Sequence, residues 1–335
     1  MKNNKKNIII IILLSTLVAY LVLKDNFAEK IHYLFSINPI FLILSFSLII
    51  LYWILKGLAL YYCVSQVDKK YTKKNGIKLM ITTQLFHAIT PFATGGQPWQ
   101  IYRLKKEGIS LSNSTNIIVE DFITYQIALV LLGIIAVVSN NIFNILPKDS
   151  TLGYLVTVGF AINTAVVIFL FLVSFNKKCN RIIIKGTINI LGKLRIIKDK
   201  QTIISKTDEY IKKFHEGAKI LLKNKMTLTK IIGLNFIALS ILYLIPFTLI
   251  LGLNIYINPF YIICTSAYVM LIDSIIPTPG STGGLEYGFM SFFNNFIKDP
   301  KLSILMIVWR IVTYYFGIFV GLVFLNSFKE EKAWE

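Results

Sequence analysis

The sequence predicts an all-α polytopic membrane protein: six transmembrane helices plus two re-entrant hairpins, arranged as an inverted three-plus-three repeat. Three observations lead there. Of 335 residues 55% are hydrophobic and only 16% charged, with a mean hydropathy of +0.65, which is more apolar surface than one water-soluble core can hide. Apolar runs of membrane-crossing length recur along the chain. One short element occurs twice, as Pro91-Phe92-Ala93-Thr94-Gly95-Gly96 followed by Asp121-Phe122-Ile123-Thr124-Tyr125, and as Pro279-Gly280-Ser281-Thr282-Gly283-Gly284 followed by Arg310-Ile311-Val312-Thr313-Tyr314. The offset is 188 at the glycines and 189 at the Thr-Tyr pair, and repetition kept in register is an architectural signal in transporters.

Taken in order, Met1-Lys2-Asn3-Asn4-Lys5-Lys6 and the apolar run 8–23 have the layout of a signal peptide. No small-x-small cleavage site precedes Lys24, so an uncleaved first span is expected. Further spans are expected at 39–65, 115–138, 152–175, 229–251 and 302–326, each long enough for a hydrocarbon core of about 30 Å. Two other apolar segments, 79–93 and 258–276, run straight into the repeated element and are followed by semi-apolar sequence. They predict hairpins over 79–108 and 258–297. A Pro- and Gly-rich break at membrane depth must face protein or a wet cavity, and paired glycines permit the close backbone approach such a tip needs. Ordinary surface loops are the alternative. The first repeat then occupies 1–140 and the second 152–326.

Basic residues number 35 against 17 acidic, a net charge of +18. In a soluble chain that balance would suggest nucleic acid, but here the bases gather in particular loops, as the positive-inside rule describes. Lys2, Lys5 and Lys6 precede the first span; Lys69, Lys70, Lys73, Lys74 and Lys78 follow the second; residues 176–230 carry 15 Lys/Arg against four Asp/Glu. These loops are expected to be cytoplasmic, as are both termini, and no nucleic-acid partner is expected. Segment 176–228 intersperses Ile182, Ile183, Ile184, Ile188 and Phe214 with lysines, a pattern for amphipathic helices on anionic inner-leaflet lipids or for a solvated linker.

Ionisable groups inside spans are expensive and tend to be functional or paired. Glu120 and Asp121 fall near the start of the third predicted span, and Arg310 occupies the position matching Asp121 in the last. An Asp121–Arg310 pair, direct or bridged by lipid, is one reading; helix capping by the two acids is the other. Arg103 suits a phosphate or simple anchoring at the cytoplasmic face. Gln97 and Gln100 add uncharged donors at the first tip. Glu286 follows the second Gly-Gly and Asp273 closes an apolar run before Pro277; each suits an amine, a proton or contact with water. Lys56 is expected to snorkel or pair with an acid, and His87 to pack. Cys63, Cys179 and Cys264 lie far apart without metal-ligand spacing, and no nucleotide-binding or hydrolase motif occurs, so no cofactor, metal or ATP hydrolysis is expected.

The stretches Ile89-Thr90-Pro91-Phe92-Ala93-Thr94-Gly95-Gly96-Gln97-Pro98, with Tyr102 to Ser110 beyond, and Pro277-Thr278-Pro279-Gly280-Ser281-Thr282-Gly283-Gly284-Leu285-Glu286, with Trp309 to Tyr315 beyond, resemble a known family. It is the flippase-like transmembrane domain of bacterial lysylphosphatidylglycerol synthases, the multiple peptide resistance factors. The resemblance covers nearly the whole chain. It implies a bacterial plasma-membrane protein that moves a phospholipid between leaflets: phosphatidylglycerol, its lysyl derivative or a related amphiphile. Family members also carry a soluble aminoacyl-transferase domain and the label phosphatidylglycerol lysyltransferase. This sequence ends at Glu335, shortly after its last apolar run, so a stand-alone, non-catalytic membrane domain is expected, possessing or lacking a separate synthase as partner. Where the family often has an acid after the first Gly-Gly, this sequence has Gln97. The transport site is expected to comprise Gly95, Gly96, Gln97, Arg103, Glu120, Asp121, Gly283, Gly284, Glu286 and Arg310. A lipid-modifying enzyme and a non-transporting scaffold are the competing readings.

Overall fold

The computed structural model describes residues 27–145, 150–176, 224–273 and 275–328, with isolated positions besides. The predicted span 8–23 and most of the basic segment 176–228 lie outside the described residues. Within them the chain is helical: α1 (Phe27–Ser36), α2 (Pro39–Val64), α3 (Lys73–Ala88), α4 (Gly96–Lys106), α5 (Leu111–Phe143), α6 (Ser150–Phe175), α7 (Lys225–Gly252), α8 (Pro259–Asp273), α9 (Gly284–Phe293), α10 (Lys301–Arg310), a π-helical turn (Ile311–Tyr315) and α11 (Phe316–Ser327). Five stretches are long and apolar enough to cross a membrane: Pro39–Val64, Leu111–Phe143, Thr151–Val173, Lys225–Gly252 and Lys301–Leu325. They coincide with the five predicted spans that fall within the described residues.

Helix starts follow capping chemistry more closely than hydropathy. Asn38 accepts the Ile40 amide at 3.0 Å, with Pro39 opening α2. Thr72 caps α3 through the Asn75 amide, and Ser110 caps α5 through that of Asn113. Both helices therefore begin earlier than their apolar runs, because a polar first turn is invisible to an apolar count.

The frame is the pair α2 and α7. Asn38 donates its amide to the Gly252 carbonyl (2.9 Å), Ser45 Oγ meets Thr248 Oγ1 (2.6 Å), and Lys56 Nζ donates to Asn235 Oδ1 (2.7 Å). As one helix ascends in number the other descends, so the two are antiparallel. Helix α3 starts beyond the C-terminal end of α2, and α8 beyond that of α7. The two helical hairpins α3–α4 and α8–α9 thus enter from opposite ends of the frame. With 16 and 15 residues, α3 and α8 rise only about 24 and 22 Å, less than a hydrocarbon core.

Their tips meet. Pro91 and Pro279 form an antiparallel bridge, and the Tyr314 hydroxyl donates to the Ala88 carbonyl at 3.1 Å. The tips also share one internal pattern at the sequence offset of the repeat. Thr94 Oγ1 donates to the Pro91 carbonyl and Thr282 Oγ1 to that of Pro279, at 3.0 and 2.9 Å. The amides of Ala93 and Ser281 donate to Thr90 and Thr278, and those of Trp99 and Tyr287 to Gly95 and Gly283. Left-handed backbone recurs too, at Phe92 (φ 53°) and Ala93 (φ 52°), and at Gly280 (φ 59°) and Ser281 (φ 51°). Three of these four residues carry a Cβ, and such strain persists only where surroundings enforce it.

Glycine sets the closeness of α2 and α3. A Cβ on Gly57 would stand 2.5 Å from Ile77 Cα, and one on Gly76 would stand 2.6 Å from the Gly57 carbonyl oxygen, a close crossing of the kind small residues allow. Gly76→Ala is expected to lower stability by about 1–3 kcal/mol through overpacking. Gly153→Ala on α6, where an added Cβ meets nothing within 4 Å, serves as the neutral control. Thermal unfolding of the purified protein in detergent compares the two.

Candidate functional site

Two adjoining cavities of about 190 and 230 Å³ lie inside the helices. Tyr52, Gln84, His87, Ala93, Met270 and Asp273 line both, so one wall, drawn from α2, α3, the first tip and α8, separates them. The first cavity is closed otherwise by Tyr243, Phe289, Trp309, Arg310 and Tyr314, the second by Lys56, Gln97, Gln100, Asp121 and Tyr125. Each has room for several waters or a phosphate-bearing headgroup, not for acyl chains.

Arg310, the last residue of α10, is buried. Its Nε stands 2.7 Å from Glu286 Oε1, out of line for a hydrogen bond and so an ion-pair contact. Its Nη2 donates to the Gly280 carbonyl at 2.9 Å and to Thr282 Oγ1 at 3.4 Å, and its guanidinium lies 4.5 Å from the Tyr314 ring centre. Glu286, at the third position of α9, accepts the Gly283 amide at 2.7 Å, and Gly283 holds φ 95°, a conformation that favours glycine. Helix start, tip and guanidinium are thereby fixed together, immediately before the π-helical turn, a feature frequent at functional sites.

Across the dividing wall, Asp121 Oδ1 lies 3.7 Å from Lys56 Nζ. Lys56 donates to Asn235 Oδ1, Asn235 Nδ2 donates to Thr124 Oγ1 (3.1 Å), and Thr124 Oγ1 to the Asp121 carbonyl (2.9 Å). Tyr125 presents its ring 4.6 Å from the same ammonium. Asn235 is fully buried and Asp121 is 6% exposed; Lys56 is held by a hydrogen bond, whereas Asp121 Oδ1 has the ion-pair contact but no hydrogen-bond partner among the described residues.

The direct Asp121–Arg310 pair expected from sequence is not formed: Asp121 pairs with Lys56, and Arg310 with Glu286. The helix-capping reading also fails for Glu120 and Asp121, since α5 begins at Leu111 and has no acid in its first turn. Glu120 instead receives Gln66 Nε2 on both carboxylate oxygens, at 3.1 and 3.2 Å. Arg103 pairs with Glu107 at 3.0 Å and lies 4.0 Å from the Phe328 ring centre, lining neither cavity. Gln97 lines the second cavity, and its Oε1 is buried without a hydrogen-bond partner among the described residues. His87 packs as expected, its ring filling the space a Cβ on Gly96 would need and its Nδ1 bonded to the Ala93 carbonyl; Ile276 fills the corresponding space at Gly284. Sequence reasoning passed over Asn235, Tyr52 and Tyr243, and read Tyr125 only as part of the repeated element. The signal for Asn235 was a lone amide inside the run 229–251.

Residues 8–321 match the family described as the lysylphosphatidylglycerol synthase TM region. The chain belongs to this family. Among curated relatives it is 22% identical over 298 residues to a UPF0104 membrane protein of Archaeoglobus fulgidus, covering 86% of this chain and 87% of the relative. No solved structure matches.

Lys56→Met is expected to cost about 3–5 kcal/mol by stranding the buried Asp121 carboxylate. The double variant Lys56→Met/Asp121→Asn should recover most of that loss. A double-mutant cycle on melting temperature in detergent measures the coupling.

Proposed function

We propose that this membrane protein moves a phospholipid or related amphiphile between leaflets without hydrolysing ATP. The observation that carries the reading is the pair of adjoining cavities whose common wall meets at the two hairpin tips. Such a layout supports alternating access, in which one cavity opens as the other closes. The antiparallel α2–α7 frame, the hairpins entering from its opposite ends and the tip pattern repeated at the sequence offset support six spans with two re-entrant hairpins in an inverted repeat, 1–140 and 152–326. Lysine-rich loops support cytoplasmic placement of the segment 176–228 against anionic inner-leaflet lipids in the plasma membrane.

In this reading Arg310 meets the lipid phosphate in the first cavity, with Glu286 holding the guanidinium fork in place. Gln97, whose carbonyl oxygen lacks a partner among the described residues, accepts a headgroup hydroxyl or ammonium in the second, beside Asp121. Gly95, Gly96, Gly283 and Gly284 shape the tips; Glu120 and Arg103 support the surrounding helices. Phosphatidylglycerol and its lysyl derivative are the first substrates to try, and a separate lipid synthase is a candidate partner.

The test is transfer of labelled phosphatidylglycerol and lysylphosphatidylglycerol in proteoliposomes, with wild type beside Arg310→Ala and Asp121→Asn. Loss of one charge-assisted phosphate contact is expected to slow transfer by about 10- to 100-fold in Arg310→Ala. If wild type moves neither lipid under any gradient, the transport reading falls.

A further inference from the structure

Three buried acids of the candidate site are held by fixed partners. Glu120 is held by Gln66, Asp121 by Lys56, and Glu286 by Arg310 and the Gly283 amide. Asp273 is different. It ends α8, lines both cavities, and has no cation within 4 Å among the described residues. Asp273 is partly exposed and lines the cavities, so water, a cation or a proton from either cavity has access to it. Arg310, the cation that faces Asp273, is already paired with Glu286, which leaves Asp273 open to a mobile counter-charge.

The neighbours favour a proton. Tyr52 of α2 and Tyr125 of α5 lie within electrostatic reach of both Asp121 and Asp273, and Tyr243 of α7 within reach of Tyr52 and Asp273. His87 and Gln84 of α3 share the same wall, Ser281 of the second tip and Arg310 of α10 face Asp273, α6 brings Asn163 to the second cavity, and Glu286 of α9 is turned to Arg310. Phenols can relay protons, and Tyr52 and Tyr125 lie near both Asp121 and Asp273.

We propose that Asp273 is the proton-coupling residue of the transport cycle, loading a proton from one cavity and releasing it to the other as the shared wall shifts. This rests on the lipid-transport reading and assigns its driving ion. Asp273 lines both cavities, so a change in which cavity is open changes where its proton exchanges.

The experiment places the full chain in proteoliposomes with labelled phosphatidylglycerol and a pH-reporting dye in the lumen, under inward or outward proton gradients of about two units or under a sodium gradient. Wild-type transfer is expected to differ about tenfold between the two proton gradients and to change lumenal pH. Asp273→Asn should transfer lipid at one rate under both gradients without changing lumenal pH. Asp273→Glu, which keeps a titratable carboxyl and guards against a folding artefact in the first variant, should keep the response. Three results overturn the coupling role while leaving transport standing: wild-type transfer indifferent to the proton gradient, transfer that follows sodium, or an undiminished gradient response in Asp273→Asn. Failure of wild type to move any lipid overturns both the transport reading and the coupling role.

Discussion

A backbone amide or carbonyl inside hydrocarbon has no water to turn to, and each one left unpaired costs several kcal/mol. A chain that breaks its helices at two tips between apolar helices has to answer that cost locally. Here the answers come from the residues that make the repeated element recognisable. Thr94 and Thr282 bind the carbonyls of Pro91 and Pro279; His87 takes the Ala93 carbonyl; Arg310 takes that of Gly280; Tyr314 takes that of Ala88 across the interface between tips. The Pro91–Pro279 bridge lets each tip satisfy part of the other. Neither tip is complete alone, so the cavities they bound depend on this mutual closure.

The charges obey the same constraint. Lys56 and Asp121 lie among Asn235, Thr124 and Tyr125, and Arg310 and Glu286 among the tip carbonyl, Thr282 and Tyr314. Removing one member of such a set strands the other in a medium that cannot solvate it. The phosphate contact proposed for Arg310 has to compete with, or add to, bonds that already hold the second tip. This links binding to tip geometry: a phosphate that draws the guanidinium away from the Gly280 carbonyl loosens the tip, and movement of the tip reshapes the first cavity.

Much of the architecture was legible in the sequence because hydropathy and repetition are both long-range signals. The spans at 39–65 and 229–251 were visible as apolar runs, and the tips as P-x-x-T-G-G. Pairing was less legible. Asp121 and Arg310 match in the repeat, which suggested that they meet, but matching positions in two copies need not touch, and nearer partners at Lys56 and Glu286 take them first. The helix start at Leu111 was hidden because Ser112, Asn113 and Ser114 make a polar first turn, and this start moves Glu120 and Asp121 from cap to interior. Arg103 had the right chemistry for phosphate, yet its place in the last turn of α4 gives it Glu107 at i+4 and the Phe328 ring. That assignment required three dimensions.

The two copies of the tip share backbone but not charge. At the offset of the repeat, Pro91 answers Pro279, Thr94 answers Thr282 and Gly95 answers Gly283, whereas Glu286 is answered by Pro98, Asp273 by Leu85 and Arg310 by Asp121. The matched residues are those that satisfy a broken backbone, a need both tips have. The unmatched ones carry the charges in and beside the cavities. A scaffold with like tips tolerates two opposed arrangements of similar energy, as alternating access requires. An unlike charge set makes the two cavities chemically distinct, one facing a guanidinium and the other an ammonium–carboxylate pair, with a carboxyl on the wall between them. In the proposed cycle, symmetry of backbone allows the motion, asymmetry of charge distinguishes what each cavity holds, and the driving gradient sets the net direction.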